Sequence, residues 1–470
     1  MKIEQIYTGC LAEAAYYIES NGEAAIIDPL REVNTYLNKA KTAGAEIKFI
    51  FETHFHADFV SGHVDLAEKS GAVIVYGPTA KTEFNCHVAH DGEQFRIGNI
   101  TITALHTPGH TLESTTYLLT DEQGKAYCIF SGDTLFIGDV GRPDLAQKGN
   151  LTVDDLAGML YDSLNDKIKP LADDVIVYPA HGAGSACGKS MSKETFDTLG
   201  HQKQVNYALK AANKANFIAE VTDGIMPPPQ YFAKNVAMNK GDVARIDAVY
   251  EKGLKALDPQ RFEEIANQTG ALLLDTRDPQ TFANGFIPNS INIGLNGQFA
   301  PWVGALITDL QQAILLVTED GKAQETITRL TRVGYDNTIG FLDGGFKCWL
   351  NAGKEIDTIE SISAEHFEKA VNNHEIVALD VRKPGEYEAE HLELTLSRPL
   401  DFINDWMNEI NPKETYYIHC AGGYRSMIAA SILKARGVTN VVDIAGGYGA
   451  IKNTDLKRTD FACPSKAMKV

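Results

Sequence analysis

Long apolar runs are missing from this 470-residue chain: nothing approaches the roughly 20 residues that a membrane span needs. Positive charge is also scarce. Forty-three Lys and Arg face 62 Asp and Glu, for a formal net charge of −19. A phosphate-rich partner needs a positive surface, so neither nucleic acid nor an anionic membrane is expected. Cysteine is sparse and unpaired in pattern. Seven are scattered at 10, 86, 128, 187, 348, 420 and 463, which is no disulfide framework and suits a reducing cytoplasm with a few chosen thiols. The first residues carry Lys2 and Glu4 where an export signal is apolar, so no export is expected. Against these absences, 44% hydrophobic and 22% charged residues are ordinary for globular protein, and the length suits about three domains.

Eight of the 13 histidines lie between His54 and His181. This region reads as alternating strands and helices: strands at 24–28, 47–53, 72–76, 100–105, 126–131 and 174–178, and a helix over 63–70. Residues 201–240 read as amphipathic helix interrupted at Pro227-Pro228-Pro229, an extension and linker. Beyond about residue 256 an internal repeat appears. LLLDTRDPQTF from Leu272 returns as VALDVRKPGEY from Val377, and Gly344-Gly345 returns as Gly446-Gly447. Each copy alternates strand and helix, which predicts a parallel sheet covered on both faces.

The polar motifs of the first region sit just past strand ends, where a rigid sheet holds loop residues in place. They are Thr53-His54-Phe55-His56-Ala57-Asp58, Thr107-Pro108-Gly109-His110, Ser131-Gly132-Asp133-Thr134 and Pro179-Ala180-His181. Imidazoles and carboxylates together suit a first-row transition metal. In this order they resemble the metallo-β-lactamase superfamily, whose fold is a sandwich of two mixed sheets flanked by helices. Dinuclear hydrolases of that family carry His-x-His-x-Asp-His. In that pattern one metal takes His54, His56, His110 and Asp133, and the other takes Asp58, a histidine at 59, His181 and the shared Asp133. Here position 59 is Phe, which has no lone pair, so one metal is expected instead of two.

A single metal on two His and one carboxylate matches the facial triad of non-haem Fe(II) oxygenases. Within the superfamily this looks like the persulfide dioxygenases. The resemblance implies His54, His110 and Asp133 as ligands of one Fe(II) per chain, with His56, Asp58 and His181 orienting ligands or water from outside. Arg142, in Gly141-Arg142-Pro143-Asp144, is a candidate to hold an anionic substrate, the alternative being a loop-fixing pair with Asp144. Cys187, six residues after His181, is a candidate neighbour of the site or a buried small hydrophobe.

The second repeat contains Tyr417-Ile418-His419-Cys420-Ala421-Gly422-Gly423-Tyr424-Arg425-Ser426, ahead of a helix read from Met427 to Arg436. Small residues let backbone N–H groups converge on an anion, and the helix start adds its positive end. Arg425 adds a cation, so these surroundings favour Cys420 as a nucleophile, with Gly422 and Gly423 as candidate substrate-binding positions. The loop resembles that of rhodaneses, as do Asp380-Val381-Arg382 and the final Gly-Gly. Four residues separate Cys420 from Arg425, one fewer than in cysteine phosphatases, which suits a single sulfane sulfur better than a phosphate. The first repeat has Thr318-Glu319-Asp320 at the matching place. It is expected to fold, but not to transfer sulfur.

The expected class is α/β: a metallo-β-lactamase αββα sandwich over 1–245, then two rhodanese-like doubly wound parallel-sheet domains over 256–356 and 360–460. The resemblance implies oxidation of a low-molecular-weight thiol persulfide with O2 to sulfite and thiol, and transfer of sulfane sulfur to sulfite, giving thiosulfate. Such a protein would detoxify sulfide; separately, the cysteine-free copy between two working domains is expected to contribute contacts over about 256–355 to a homo-oligomer. The alternative is a zinc thioester hydrolase of the glyoxalase II type, with the rhodanese copies as docking modules.

Overall fold

The computed structural model describes residues 1–146, 151–241, 243–373 and 376–462. The chain divides into two compact units: Met1–Ile246 with Thr331–Gly334, and Asp247–Leu330 with Tyr335–Val470. Among the described residues, no helix is long and apolar enough to cross a membrane.

The first unit is a four-layer sandwich. Each of its two sheets has six strands, and both are mixed. Lys2–Thr8, Glu13–Ser20 and Glu23–Ile27 pair antiparallel, then Glu46–Phe51 and Val73–Tyr76 add on in parallel. In the second sheet, Ala126–Gly132 pairs antiparallel with Thr115–Thr120 and parallel with Ile176–Pro179. Alternation along the strands explains the layering. Ala25 and Ile27 join Ile102, Ala104, Tyr117 and Phe130 between the sheets. Ala24 and Ile26 face outward onto the helix Asn34–Ala43 through Tyr36 and Ala40. Ile129 and Val177 do the same on the other side, against the helix Val153–Ser163.

The second unit holds both repeats. Each builds a five-stranded sheet of parallel strands with the same topology. One runs Ala256–Leu257, Thr338–Leu342, Ile314–Val317, Leu272–Asp275, Ile291–Asn292; the other runs Glu360–Ile362, Val441–Ile444, Tyr416–His419, Val377–Asp380, Thr395–Ser397. Buried on both faces, the central strands read as continuous apolar runs such as ILLV. The repeat extends to side chains. Arg277 grips Asp275 with Nε and Nη2 and lies 4.1 Å from the Phe346 ring; Arg382 grips Asp380 in the same way, 3.9 Å from Tyr448.

Candidate metal centre and cysteine loop

The strand Glu46–Phe51 delivers the histidine loop, and Asp28 fixes its start. Asp28 accepts from the Thr53 amide at 2.8 Å and from Thr53 Oγ1 at 2.8 Å. With its own proton committed to Asp28, Thr53 Oγ1 accepts from His54 Nδ1 at 3.0 Å. That leaves the lone pair of His54 on Nε2. His110 is set likewise, since Nδ1 donates to the Arg142 carbonyl at 2.8 Å. Both Nε2 atoms then face Asp133 Oδ2, His110 at 3.3 Å and His54 at 3.7 Å. Gly132 makes this approach possible: it sits at φ +54°, and a Cβ there would lie 2.6 Å from Thr53 Cβ.

His54, His110 and Asp133 thus bring three ligand atoms within 4.8 Å of one another, all buried. Among the described residues, His54 Nε2 and Asp133 Oδ2 have no hydrogen-bond partner. Orphaned buried acceptors that converge without a proton between them fit a metal ion. Burial, reinforced by His56, holds the His54 imidazole well below its ordinary range and so neutral. Against its own burial, the facing His181 holds the Asp133 carboxyl well below the usual range.

His181 bridges the remaining carboxylates, with Nδ1 2.7 Å from Asp133 Oδ1 and Nε2 2.8 Å from Asp58 Oδ2. His56, Asp58 and His181 form a second group of converging ligand atoms. Phe59 is fully buried, with its ring 4.3 Å from that of His56, where the dinuclear pattern has a ligand. Cys187 is buried at this centre and groups with Asp133 and His181. Arg142 is committed to its own loop. Nε and Nη2 hold Asp144 at 2.6 and 2.7 Å, and further bonds reach the carbonyls of Ala186 and Met226, so the loop-fixing alternative describes its contacts.

Several supporting residues escaped the sequence reading. Asp28 closes a strand before Pro29, and nothing local marks it as the anchor of His54. Asn239 lies in the helix Phe232–Lys240, within the stretch read as linker. Its Nδ2 donates to the carbonyls of His56 and Phe59, and its Oδ1 accepts from the Ser61 amide, all at 2.8 Å. That helix therefore acts as an extension of the first domain that scaffolds the histidine loop, and not as a connector.

In the second unit, Cys420 follows the strand Tyr416–His419 and precedes the helix Tyr424–Ala435. Its buried Sγ accepts from the Gly423 amide at 3.1 Å. The Gly446-Gly447 turn closes on the loop, with the Tyr448 amide donating to the Cys420 carbonyl at 2.6 Å. Arg425, the cation of the loop, is itself paired. It forms a bidentate pair with Glu386, at 2.6 and 2.9 Å. Against burial, that pairing holds the Glu386 carboxyl below its ordinary range. A cavity of about 240 Å³ adjoins the loop. Gly422, Gly423 and Tyr424 line one wall, and Asp278, Gln280 and Asn296 of the cysteine-free copy line the other. In that copy Gly345 turns over Thr318, as Gly447 turns over Cys420, which places Thr318 where the nucleophile would be.

Residues 8–181 match the model of the metallo-beta-lactamase superfamily, and residues 258–352 and 363–454 each match that of the rhodanese-like domain. A Schizosaccharomyces pombe protein named probable hydroxyacylglutathione hydrolase is 30% identical over 46% of this chain and 79% of its own length. A second so named in that organism, glo2, is 33% identical over 39% and 68%. The crystal structure of a metallo-beta-lactamase from Staphylococcus aureus is 32% identical, covering 73% of this chain and 98% of its own, with a TM-score of 0.63. The chain belongs to the metallo-β-lactamase superfamily of metal-binding enzymes, with that fold followed along the chain by two rhodanese-like domains.

Proposed function

We propose that this chain oxidises a low-molecular-weight thiol persulfide at one iron and moves sulfane sulfur through Cys420. The observation that carries the reading is Phe59. It fills a ligand position of the dinuclear hydrolases with a ring that has no lone pair, beside an intact triad of His54, His110 and Asp133. His54, His110 and Asp133 would hold iron(II), which would supply the redox chemistry with dioxygen. The protein's share is orientation of the ligands within largely apolar walls. His181 fixes the Asp133 carboxylate through Oδ1 and leaves Oδ2 to the triad. Phe59 and Phe136, both fully buried, keep the histidine surroundings apolar.

The overall reaction consumes one persulfide, one O2 and one water and yields a thiol, sulfite and two protons. At the second site, the Cys420 thiol takes a sulfane sulfur from a donor and sulfite removes it as thiosulfate. The Gly423 amide at Sγ and the helix start behind it favour negative charge on sulfur there.

A second reading, a zinc thioester hydrolase, is favoured by the names of the two Schizosaccharomyces pombe relatives. Metal analysis of protein produced without added metal separates the two. The dioxygenase reading expects about one iron per chain, and about two zincs per chain would favour the hydrolase.

A further inference from the structure

Cys420 stands at one end of a buried hydrogen-bond chain. Its Sγ lies 3.6 Å from Ser426 Oγ, and Ser426 Oγ donates to Asp443 Oδ1 at 2.7 Å. Asp443 is fully buried in the strand Val441–Ile444. Its other oxygen, Oδ2, accepts from Ser361 Oγ at 2.9 Å and from Gln280 Nε2 at 3.0 Å. Gln280 belongs to the cysteine-free copy. With Oδ2 occupied by two donors, the oxygen open to a proton is Oδ1, and it faces Ser426.

We propose that Asp443 receives the proton of the Cys420 thiol through the Ser426 hydroxyl, and that Gln280 of the cysteine-free copy dictates which carboxylate oxygen takes it. This rests on the reading of Cys420 as the sulfur-carrying nucleophile. Before attack, the thiol donates to Ser426 Oγ and Ser426 donates to Asp443. As the Cys420 sulfur bonds to the outer sulfur of a persulfide, the donor's S–S bond breaks and its thiolate leaves with the electron pair. The thiol proton moves to Ser426 while Ser426 passes its own to Asp443 Oδ1. Sulfane sulfur only changes carrier, and no outside oxidant or reductant is required. Afterwards the chain runs in reverse: Asp443 donates to Ser426, and the Ser426 hydroxyl is released to donate to the sulfur.

Burial raises the Asp443 carboxyl above its ordinary range, the direction that lets it hold a proton; the bonds from Ser426, Ser361 and Gln280 oppose this. Other charged or titratable groups around the loop are engaged elsewhere or stand across the cavity. Arg425 is paired with Glu386, His419 lies 3.9 Å from Asp380, Tyr448 stacks under Arg382, and Asp278 sits on the far wall. Among the described residues, the hydrogen-bond partners of Sγ are the Gly423 amide and Ser426. Among the described residues, Asp443 and Gln280 make no hydrogen bond to Sγ and act on it through Ser426.

The test is the pH profile of Cys420 alkylation by iodoacetamide in the full chain, followed by peptide mass spectrometry. Sulfur transfer from thiosulfate is assayed in parallel. Two groups sharing one proton titrate in two steps, so the wild-type profile should rise to an intermediate plateau and then again. Asp443→Asn and Ser426→Ala should each give a single step. Ser426→Thr, which keeps the hydroxyl, should restore two. Gln280→Leu removes a donor that opposes protonation of the Asp443 carboxyl and should raise the intermediate plateau by about threefold or more; an unchanged or lowered plateau removes Gln280 from the relay. A single step in the wild type, or two steps persisting in a folded Asp443→Asn protein, overturns the relay. Failure of Ser426→Thr to differ from Ser426→Ala also overturns it. A two-step wild type that collapses with Asp443→Asn but transfers no sulfur upholds the relay and removes the sulfurtransferase reading instead.

Discussion

His110 is tied by Nδ1 to a backbone carbonyl and presents Nε2 to Asp133, so truncating it removes a ligand without cutting a strand. His110→Ala should lower bound metal at least about tenfold, and oxygen uptake should fall in proportion, since outer partners alone change affinity by 10–100-fold. Elemental analysis beside an oxygen electrode checks both; full metal content in the variant would remove His110 from the ligand set. Cys420→Ser should abolish sulfane-sulfur transfer, because a hydroxyl cannot carry a persulfide, while oxygen uptake persists and sulfite accumulates in place of thiosulfate. Loss of oxygen uptake in that variant would show that the two sites do not act separately. At this scale the sequence was informative wherever a residue stood in a short motif after a strand. His54, His110, Asp133 and Cys420 could be named for that reason. Asp28 and Asn239 could not, because each acts through tertiary contact, and Asn239 reaches carbonyls some 180 residues earlier in the chain. The roles of Arg142 and Arg425 also depended on partners, Asp144 and Glu386, that sequence spacing did not settle.

Among elements, the helix His63–Ser70 and the strand Ala126–Gly132 fall close to where periodicity put them. The strands Lys2–Thr8 and Glu13–Ser20 gave no clean signal. The first is half-exposed along its length, and the second is buried on both faces yet includes Glu13. The stretch read as one interrupted helix is four short ones: Leu199–Val205, Tyr207–Lys210, Lys214–Thr222 and Phe232–Lys240. Thr198, Asn206 and Asn213 accept from backbone amides at the first three starts and so punctuate the chain. The last helix supports the histidine loop. Asn239→Ala removes three bonds to buried backbone groups and should cost about 2 kcal/mol or more. It should also speed metal loss to a chelator, read as the release rate at fixed temperature; an unchanged rate would mean the loop holds itself. In the other unit, Gly447 lies at φ +55°, where a Cβ would come within 2.4 Å of the Cys420 carbonyl. Gly447→Ala should therefore displace the loop and reduce sulfur transfer at least about tenfold, with strain of about 1–3 kcal/mol shared by the repeat. Transfer at the wild-type rate would show that the turn does not shape the loop.

For the whole molecule, the repeated Asp–Arg grip and Gly-Gly turn show that the cysteine-free copy kept its framework while its loop changed to Thr318-Glu319-Asp320. Glu319 and Asp320 are exposed there, so a thiol placed at 318 would have two carboxylates as chain neighbours, while the cation before the next helix, Lys322, is paired with Glu325. Thr318→Cys in a Cys420→Ser chain should leave sulfur transfer below about a hundredth of wild type, a loss of the size that follows when a nucleophile lacks its activating surroundings. Efficient transfer would mean that loop charge matters little. The central claim is that the first unit consumes dioxygen. The direct measurement is oxygen uptake by purified, metal-counted protein given a low-molecular-weight thiol persulfide, with sulfite quantified in the same vessel. One O2 should be consumed per sulfite formed, at a rate proportional to bound iron. Protein with about two zincs per chain that takes up no oxygen and hydrolyses a glutathione thioester would contradict it.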